Sequence, residues 1–450
     1  MSRLQFVVFV SFTLALGPGC GSGDGGSSTP PPPPRPSPDA SLDAGIAPMS
    51  DASTMDAGDS GGDGGIPTVP DGGLIDCPPT QLLLTTSDFS VSQTATVQLT
   101  DGASRVGSQD GVDENFDADS RPVALMCGGA ILERTTGRLR VLANDDPFTT
   151  AQIIDLNRFG DESSLCATDE DCACAPGAPS CGNSGICVTG RCSRSSAVLP
   201  TAAWQTDDGY VYLIGEKRNS VYVINPEVGG LDPSTDDIDL SPLLKPEDSD
   251  GSVDPVAGIM IGRRLYIALG NYWFDSEGTR RFSGSQLAVV DVPSRTLLIE
   301  ETIELEGDNP WLQLVHLPDE EELWVVSTGS SATDDGLIEA VDLSARVSDR
   351  ILFREDRLPG GLDGFVYIKS DITYILSAGN IYLWDPLTDS LAETSIATGI
   401  SRGIYAYDGL LYGWGESGMR TFDAITGEET TGGPPVTLGF RPIYGAVAAP

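Results

Sequence analysis

Two stretches decide the fold: Gly409-Leu-Leu-Tyr-Gly-Trp414 followed by Met419-Arg-Thr-Phe-Asp423, and Asp371-Ile-Thr-Tyr-Ile-Leu376 followed by Asn380-Ile-Tyr-Leu-Trp-Asp385. Each pair predicts a strand, a short turn and a second strand that closes on Asp. A carboxylate at the closing position can accept the backbone N–H two residues further on, which favours a tight turn out of the strand. A unit that recurs in this way indicates a repeat architecture.

The same unit recurs at five other places along the chain. The clear copies are Tyr210–Ile214 with Ser220–Asn225, Leu265–Leu269 with Gln286–Asp291, and Leu323–Ser327 with Leu337–Asp342, and the weaker ones are Gln81–Thr85 with Ala95–Gln98 and Leu139–Ala143 with Ala151–Asp155. Units of about 40 residues that hold four short strands have the size of a propeller blade. The sequence therefore predicts an all-β, seven-bladed β-propeller over residues 74–450.

An apolar stretch precedes most units and predicts the innermost strand of each blade. Examples are 255–261, 311–317 and 403–407, whereas the first unit has no such stretch before it. The last eleven residues, 440–450, have the missing pattern and no blade of their own. We therefore expect the C-terminal strand to complete the first blade and close the ring, which removes both open sheet edges.

The repeats resemble the YVTN-type propeller repeats of bacterial surface and periplasmic proteins. The resemblance rests on Thr85-Thr-Ser-Asp-Phe89, on Asn309-Pro310 before a unit, and on Asn225-Pro226 and Asp385-Pro386 after one. It implies a propeller fold and an exported location. It says almost nothing about activity.

The N-terminal region predicts export and a spacer. Residues 1–20 hold Arg3, an apolar run and Cys20, and resemble a lipoprotein signal in which Cys20 is acylated. Residues 21–73 are rich in Gly, Pro and Asp, resemble the linkers of myxobacterial-type lipoproteins, and predict a disordered stalk. We expect an outer-membrane or cell-surface lipoprotein held to the membrane only by its lipid; a periplasmic or secreted protein is the alternative.

The remaining cysteines favour disulfides in an oxidising compartment. Six of them fall within a Gly- and Pro-rich insertion, residues 163–194, and two others lie at the start of the first two units. The eight are Cys77, Cys127, Cys166, Cys172, Cys174, Cys181, Cys187 and Cys192. The even count predicts a small disulfide-rich insertion of undetermined pairing and a bridge between Cys77 and Cys127, with zinc as the rival for the six.

Charge limits the partners. The chain has 66 acidic and 26 basic residues, a formal net charge of −40, which repels a phosphate backbone and argues against nucleic acid.

The only histidine, His316, lies in an apolar strand, so Ser-His-Asp and histidine-rich metal sites are largely excluded. We expect a non-enzymatic propeller that binds an envelope protein or a glycan. The alternative is a hydrolase or lyase that uses carboxylates, with or without a metal, in the central funnel.

Two loops are candidate binding sites. The loop after Gly270 holds Tyr272, Trp273 and Phe274 and then Arg280 and Arg281, a combination suited to recognition of a glycan or peptide; these rings can also pack over the adjacent blade. The second loop holds three acidic residues around Gly251, namely Asp248, Asp250 and Asp254. Their carboxylates are oxygen ligands of the kind that Ca²⁺ takes, although their spacing is not that of an EF-hand. No organic cofactor is indicated.

Overall fold

The structure is a computed structural model that describes most of the second of two compact units, residues 62–450. The described residues are 81–87, 92–98, 104–107, 120–125, 128–134, 137–143, 149–156, 186–188, 191–193, 199–206, 209–216, 219–225, 230–231, 237–277, 279–317, 320–330, 334–407, 409–415, 418–430 and 441–448. The signal, Cys20, the stalk, Cys77, Cys127 and the first four cysteines of the insertion lie outside these residues. None of the helices in this described part has the length and apolar character that a membrane crossing needs.

The described residues form strands and three short 3₁₀ helices. In chain order the strands are β1 Gln81–Ser87, β2 Ser92–Gln98, β3 Ser104–Gly107, β4 Arg121–Leu125, β5 Gly128–Glu133, β6 Arg138–Leu142, β7 Thr150–Asp155, β8 Ile186–Val188, β9 Arg191–Ser193, β10 Leu199–Gln205, β11 Val211–Glu216, β12 Ser220–Asn225, β13 Gly230–Leu231, β14 Ile238–Asp239, β15 Pro255–Ile261, β16 Arg264–Leu269, β17 Tyr272–Phe274, β18 Arg280–Phe282, β19 Gln286–Asp291, β20 Thr296–Leu297, β21 Ile303–Glu304, β22 Pro310–Leu317, β23 Glu322–Ser327, β24 Leu337–Asp342, β25 Val347–Arg354, β26 Leu362–Lys369, β27 Ile372–Ser377, β28 Asn380–Asp385, β29 Ser390–Leu391, β30 Ala397–Thr398, β31 Gly403–Tyr407, β32 Leu410–Gly415, β33 Gly418–Asp423 and β34 Arg441–Ala448. The helices are Ser241–Leu243, Ile299–Glu301 and Glu355–Arg357.

These strands form antiparallel sheets in which neighbours along the chain pair, the topology of propeller blades. The sheets with four or five strands are β3-β2-β1-β34, β4-β5-β6-β7, β10-β11-β12-β13 with β14, β15-β16-β19-β20 with β21, β22-β23-β24-β25, and β26-β27-β28-β29 with β30; β31-β32-β33 is a three-stranded sheet, and β8-β9 and β17-β18 are two-stranded. Within each blade the first strand in the chain lies innermost, except in the first sheet. There β34 pairs with β1, as expected from the C-terminal sequence.

The prediction of seven blades is wrong. Six sheets have the four or five strands of a blade, whereas the sheet β31–β33 has three strands within the described residues. The C-terminal strand β34 joins the first sheet and does not extend the last one. To the sheet β31–β33 itself, the described chain adds only an isolated bridge between Phe422 and Glu429. The repeat count was too high because two strands and a closing Asp recur in the last unit without a full outer strand.

The hydrophobic core lies between neighbouring sheets, because the sheets carry apolar side chains on both faces. One cluster joins the third and fourth sheets and includes Ile214, Val223, Leu265 and Val290. Equivalent clusters lie between the fourth and fifth sheets and between the fifth and sixth sheets. In the latter cluster the ring centroids of Trp324 and Trp384 lie 6.0 Å apart. Strands buried on both faces have continuous apolar runs, which is why their sequences show little polar alternation.

The closing aspartates make the turns that the sequence predicts. In the sixth sheet the Leu387 N–H donates to Asp385 Oδ1 at 2.9 Å, and in the last sheet the Ile425 N–H donates to Asp423 Oδ1 at the same distance. The alignment of one repeat unit with its sheet was predicted wrongly. Asp155 was expected to end the third strand of the second sheet, but it ends β7, which is the fourth and outer strand. The inner strand β4 and the strand β5 precede the stretch that was matched to the repeat.

Candidate functional site

The loop after Gly270 forms a β-hairpin that stands outside the blade pattern. Residues 270–285 connect β16 to β19, whereas the equivalent connection in the sixth sheet is only Ala378-Gly379 between β27 and β28. Strand β17 pairs with β18, with Tyr272 opposite Phe282 and Phe274 opposite Arg280. The blade is complete without this hairpin, so the added length does not serve the sheet itself.

The base of the hairpin is held by Asp254, the residue directly before the inner strand β15. The Gly270 N–H donates to the backbone carbonyl of Asp254 at 2.9 Å, and the Tyr272 N–H donates to its carboxylate at 3.1 Å. Asn271 Nδ2 also donates to the Gly284 carbonyl at 2.9 Å and ties the two ends of the hairpin together. Asp254 has a φ of +47°, a left-handed conformation in which this carboxylate reaches the Tyr272 N–H.

The predicted ligand-binding side chains are brought together by this hairpin, but not all of them are on the surface. Tyr272 is buried and Trp273 is half-buried, whereas Phe274 is 41% exposed. Arg280 and Arg281 are both exposed. Packing against the blade therefore buries Tyr272. The exposed surface of the hairpin presents the ring of Phe274 beside the guanidinium groups of Arg280 and Arg281.

The two arginines differ in what they contact. Arg281 Nε donates to Asp275 Oδ2 at 2.8 Å, and this carboxylate also accepts the N–H groups of Glu277 and Thr279. These hydrogen bonds hold the pKa of Asp275 below its ordinary value, the Thr279 N–H being the main cause. The guanidinium carbon of Arg280 instead lies 4.7 Å from the ring centroid of Tyr272 and 5.5 Å from that of Phe274. Arg281 closes the hairpin loop, and Arg280 lies over the aromatic rings.

The predicted acidic residues also come together. One carboxylate oxygen from each of Asp248, Asp250 and Asp254 lies within 4.8 Å of the others. Partial burial raises the pKa of Asp248, and the neighbouring Asp250 carboxylate adds to this shift. The Asp250 N–H donates to Asp248 and the Ser252 N–H to Asp250, so the loop wraps around its own side chains. Calcium binding here stays a prediction, which the arrangement of the three carboxylates permits.

Sequence reasoning missed the carboxylates that join one blade to the next. Glu339 on β24 is fully buried and accepts the N–H groups of Glu306 and Gly307 at 2.8 and 3.1 Å, as well as the Ser348 hydroxyl at 2.6 Å. Burial raises its pKa in spite of these hydrogen bonds. Glu355 similarly accepts the N–H groups of Gly336 and Leu362. Both acids hold connections between blades, a role that no local spacing in the sequence indicates.

His316 lies half-buried on β22, where burial lowers the pKa of its imidazole. This strand is the apolar stretch in which the sequence places it. The structure places it on an inner strand, opposite Leu323 of β23.

The fold places the chain in the class of β-propeller proteins, and comparison with solved structures supports this class. The chain is similar to a periplasmic gluconolactonase, PpgL, of Pseudomonas aeruginosa, with 12% identity, 82% of this chain and 99% of that one covered, and a TM-score of 0.50. It is also similar to AztD of Citrobacter koseri, with 10% identity, 82% and 98% coverage, and a TM-score of 0.42. The likeness to PpgL shows the fold alone. No family model and no curated protein matches the sequence.

Proposed function

We propose that the protein is a non-enzymatic, lipid-anchored envelope protein whose propeller binds a protein or glycan partner through the hairpin β17–β18. The observation that carries this proposal is the hairpin itself, a connection of sixteen residues in a place where a two-residue turn is enough in the sixth sheet. A large exposed ring beside arginine is the combination enriched at the centres of binding interfaces. Phe274, Arg280 and Arg281 provide it.

The position of the hairpin supports the proposal further. Its base is hydrogen-bonded to Asp254 and closed by Asn271, so the exposed side chains are presented from a structured support. Binding to a pre-organised surface costs less conformational entropy than binding to a loose loop. The YVTN-type resemblance and the lipid anchor at Cys20 belong to the same proposal and place the partner in the envelope.

The experiment measures binding of purified envelope proteins and envelope glycans to the immobilised protein. The variants are Phe274→Ser, Arg280→Ala and a replacement of residues 271–284 by Ala-Gly; the matched control is Leu387→Ser, a side chain 70% exposed in the turn after β28. We expect binding by the wild type and the control, and weakened binding by the hairpin variants. Equal binding by the wild type, the control and the three hairpin variants would show that the hairpin is not the binding surface. The point variants keep this conclusion valid if the replacement does not fold.

The anchor and the insertion are tested separately. Labelled palmitate should enter the wild-type protein and not a Cys20→Ala variant, and a control lipoprotein in the same cells shows that labelling works. A variant that lacks residues 163–194 shows in the same binding experiment whether the cysteine-rich insertion also contacts the partner. Mass spectrometry of the unreduced protein tests whether the predicted bridges form and determines their pairing. Cys187 and Cys192 are one pair to look for, because their α-carbons lie opposite each other in the pair β8–β9.

A further inference from the structure

The structure contains an internal example of how a ring-supported arginine is neutralised. The guanidinium carbon of Arg420 lies 5.1 Å from the ring centroid of Phe422. Its Nε and one terminal nitrogen donate to the two carboxylate oxygens of Glu429, at 2.9 and 2.6 Å. Arg357 shows the same arrangement, lying 4.7 Å from the ring centroid of Phe353 and pairing with Asp389. In both cases a ring supports one face of the guanidinium and a carboxylate binds its edge.

Arg280 has the first half of this arrangement without the second. It lies over Tyr272 and Phe274, but among the described residues no carboxylate is within ion-pair distance of it. Of the two acids in the hairpin, Glu277 forms no ion pair with Arg280, and Asp275 already accepts hydrogen bonds from the N–H groups of Glu277 and Thr279 and from Arg281. The charged edge of Arg280 is free to face solvent.

We propose that Arg280 binds a carboxylate of the ligand, in the place that Glu429 occupies on Arg420, and that the ligand is a uronate-type acidic sugar. This inference rests on the proposed function of the hairpin and names its ligand class. A guanidinium fork matches the two oxygens of a carboxylate and binds them more strongly than a neutral partner. The ring support lowers the side-chain entropy that Arg280 would otherwise lose on binding.

One observation favours an acidic sugar over an acidic peptide. Phe274 is 41% exposed beside Arg280 and offers an apolar surface to the C–H face of a pyranose. A uronate combines one carboxylate with one apolar face, as this part of the hairpin requires.

Calorimetric titration of the folded protein tests the inference with three probes: tri-galacturonate, neutral tri-galactose and tri-glutamate. The variants are Arg280→Gln and Arg280→Lys, and the control is Arg350→Gln, an exposed arginine that pairs with Glu322. We expect tri-galacturonate to bind the wild type and the control. We expect the affinity to fall roughly 10- to 100-fold in Arg280→Gln, the usual cost of losing hydrogen bonds to a charged group, and less in Arg280→Lys, which keeps the charge but not the fork.

The outcomes separate this inference from the proposed function. Equal affinity of the wild type and Arg280→Gln for tri-galacturonate, or no binding of it, would overturn the inference. Binding of tri-glutamate alone would overturn the sugar and make an acidic peptide the ligand. Equal binding of tri-galactose and tri-galacturonate would remove the role of the carboxylate and leave the hairpin as the binding surface. The proposed function itself is tested by the envelope-binding experiment, which uses none of these probes and can therefore fail or succeed independently.

Discussion

The phenol of Tyr374 donates a hydrogen bond to the backbone carbonyl of Ala424 at 3.1 Å, and this bond joins the sixth sheet to the sheet that follows it. Ala424 directly follows Asp423, the closing residue of its repeat. Tyr212 makes the same bond to the carbonyl of Val292, which directly follows Asp291, at 2.9 Å. The second strand of one sheet is therefore fastened to the closing turn of the next.

Replacing Tyr374 by Phe should remove this bond while keeping the ring. The Ala424 carbonyl would then lose its buried donor, and we expect a loss of about 1 kcal/mol in the free energy of unfolding. Denaturant titration measures this change. The control is Tyr382→Phe on β28, because the Tyr382 hydroxyl makes no hydrogen bond within the described part of the chain. Similar losses in both variants would mean that the phenol does not fasten the two sheets.

The stability of the protein should rise as the pH is lowered through the raised pKa values of its buried glutamates. Burial raises the pKa values of Glu339 and Glu355 above their ordinary values, so between the folded and the unfolded pKa the folded state binds protons that the unfolded state does not. This gain should be smaller in a Glu339→Gln variant. Thermal melting across the pH range measures both effects, and an unchanged slope in the variant would contradict the role of Glu339.

At still lower pH the trend should reverse. Hydrogen bonds hold the pKa values of the closing residues Asp342, Asp385 and Asp423 below their ordinary values. The stability that these turns contribute is present above the unfolded pKa and is lost as the pH falls through the folded one. The melting temperature should therefore pass through a maximum on the acidic side of neutrality.

Removing residues 441–450 should prevent stable folding. Strand β34 is the inner strand of the first sheet, and its loss leaves β1 with an unpaired edge at the ring closure. Circular dichroism during heating should show no cooperative transition, or one at a much lower temperature. Removal of residues 449–450 alone is the control and should leave melting unchanged. A truncated protein that melts like the parent would show that closure does not depend on β34.

Calcium should stabilise the protein through the loop 248–254. The three carboxylates lie within 4.8 Å of one another, and a bound cation would relieve the repulsion between them. At a free calcium concentration one hundred times the Kd, the expected gain is about 2.7 kcal/mol in the free energy of unfolding. A chelator should reverse the gain, and Asp248→Asn should abolish it, whereas Asp371→Asn, an exposed acid elsewhere, should not. No uptake of calcium in a calorimetric titration would end this prediction.

Much of the local structure could be predicted from the sequence because it depends on neighbouring residues. The strand bounds of β12, β19, β24 and β28 were predicted to the residue, and the closing aspartates make the expected turns. The sequence holds a further local signal, a tyrosine at the same position in four of the repeats, opposite the residue two before the closing one: Tyr212, Tyr266, Tyr374 and Tyr412. Two of these tyrosines make the bonds between sheets described above.

The sequence by itself determined the strand pattern, the closing turns and the part of the chain that closes the ring, since these follow from side chains a few residues apart. Only the tertiary structure decided the number of complete blades, because the outer strand of a sheet depends on pairing and not on its own sequence. It also decided which hairpin side chains are exposed: packing against the blade buries Tyr272 and leaves Phe274 and Arg280 on the surface. Burial and long-range hydrogen bonds depend on what the fold places next to a residue, and a sequence pattern does not contain that information.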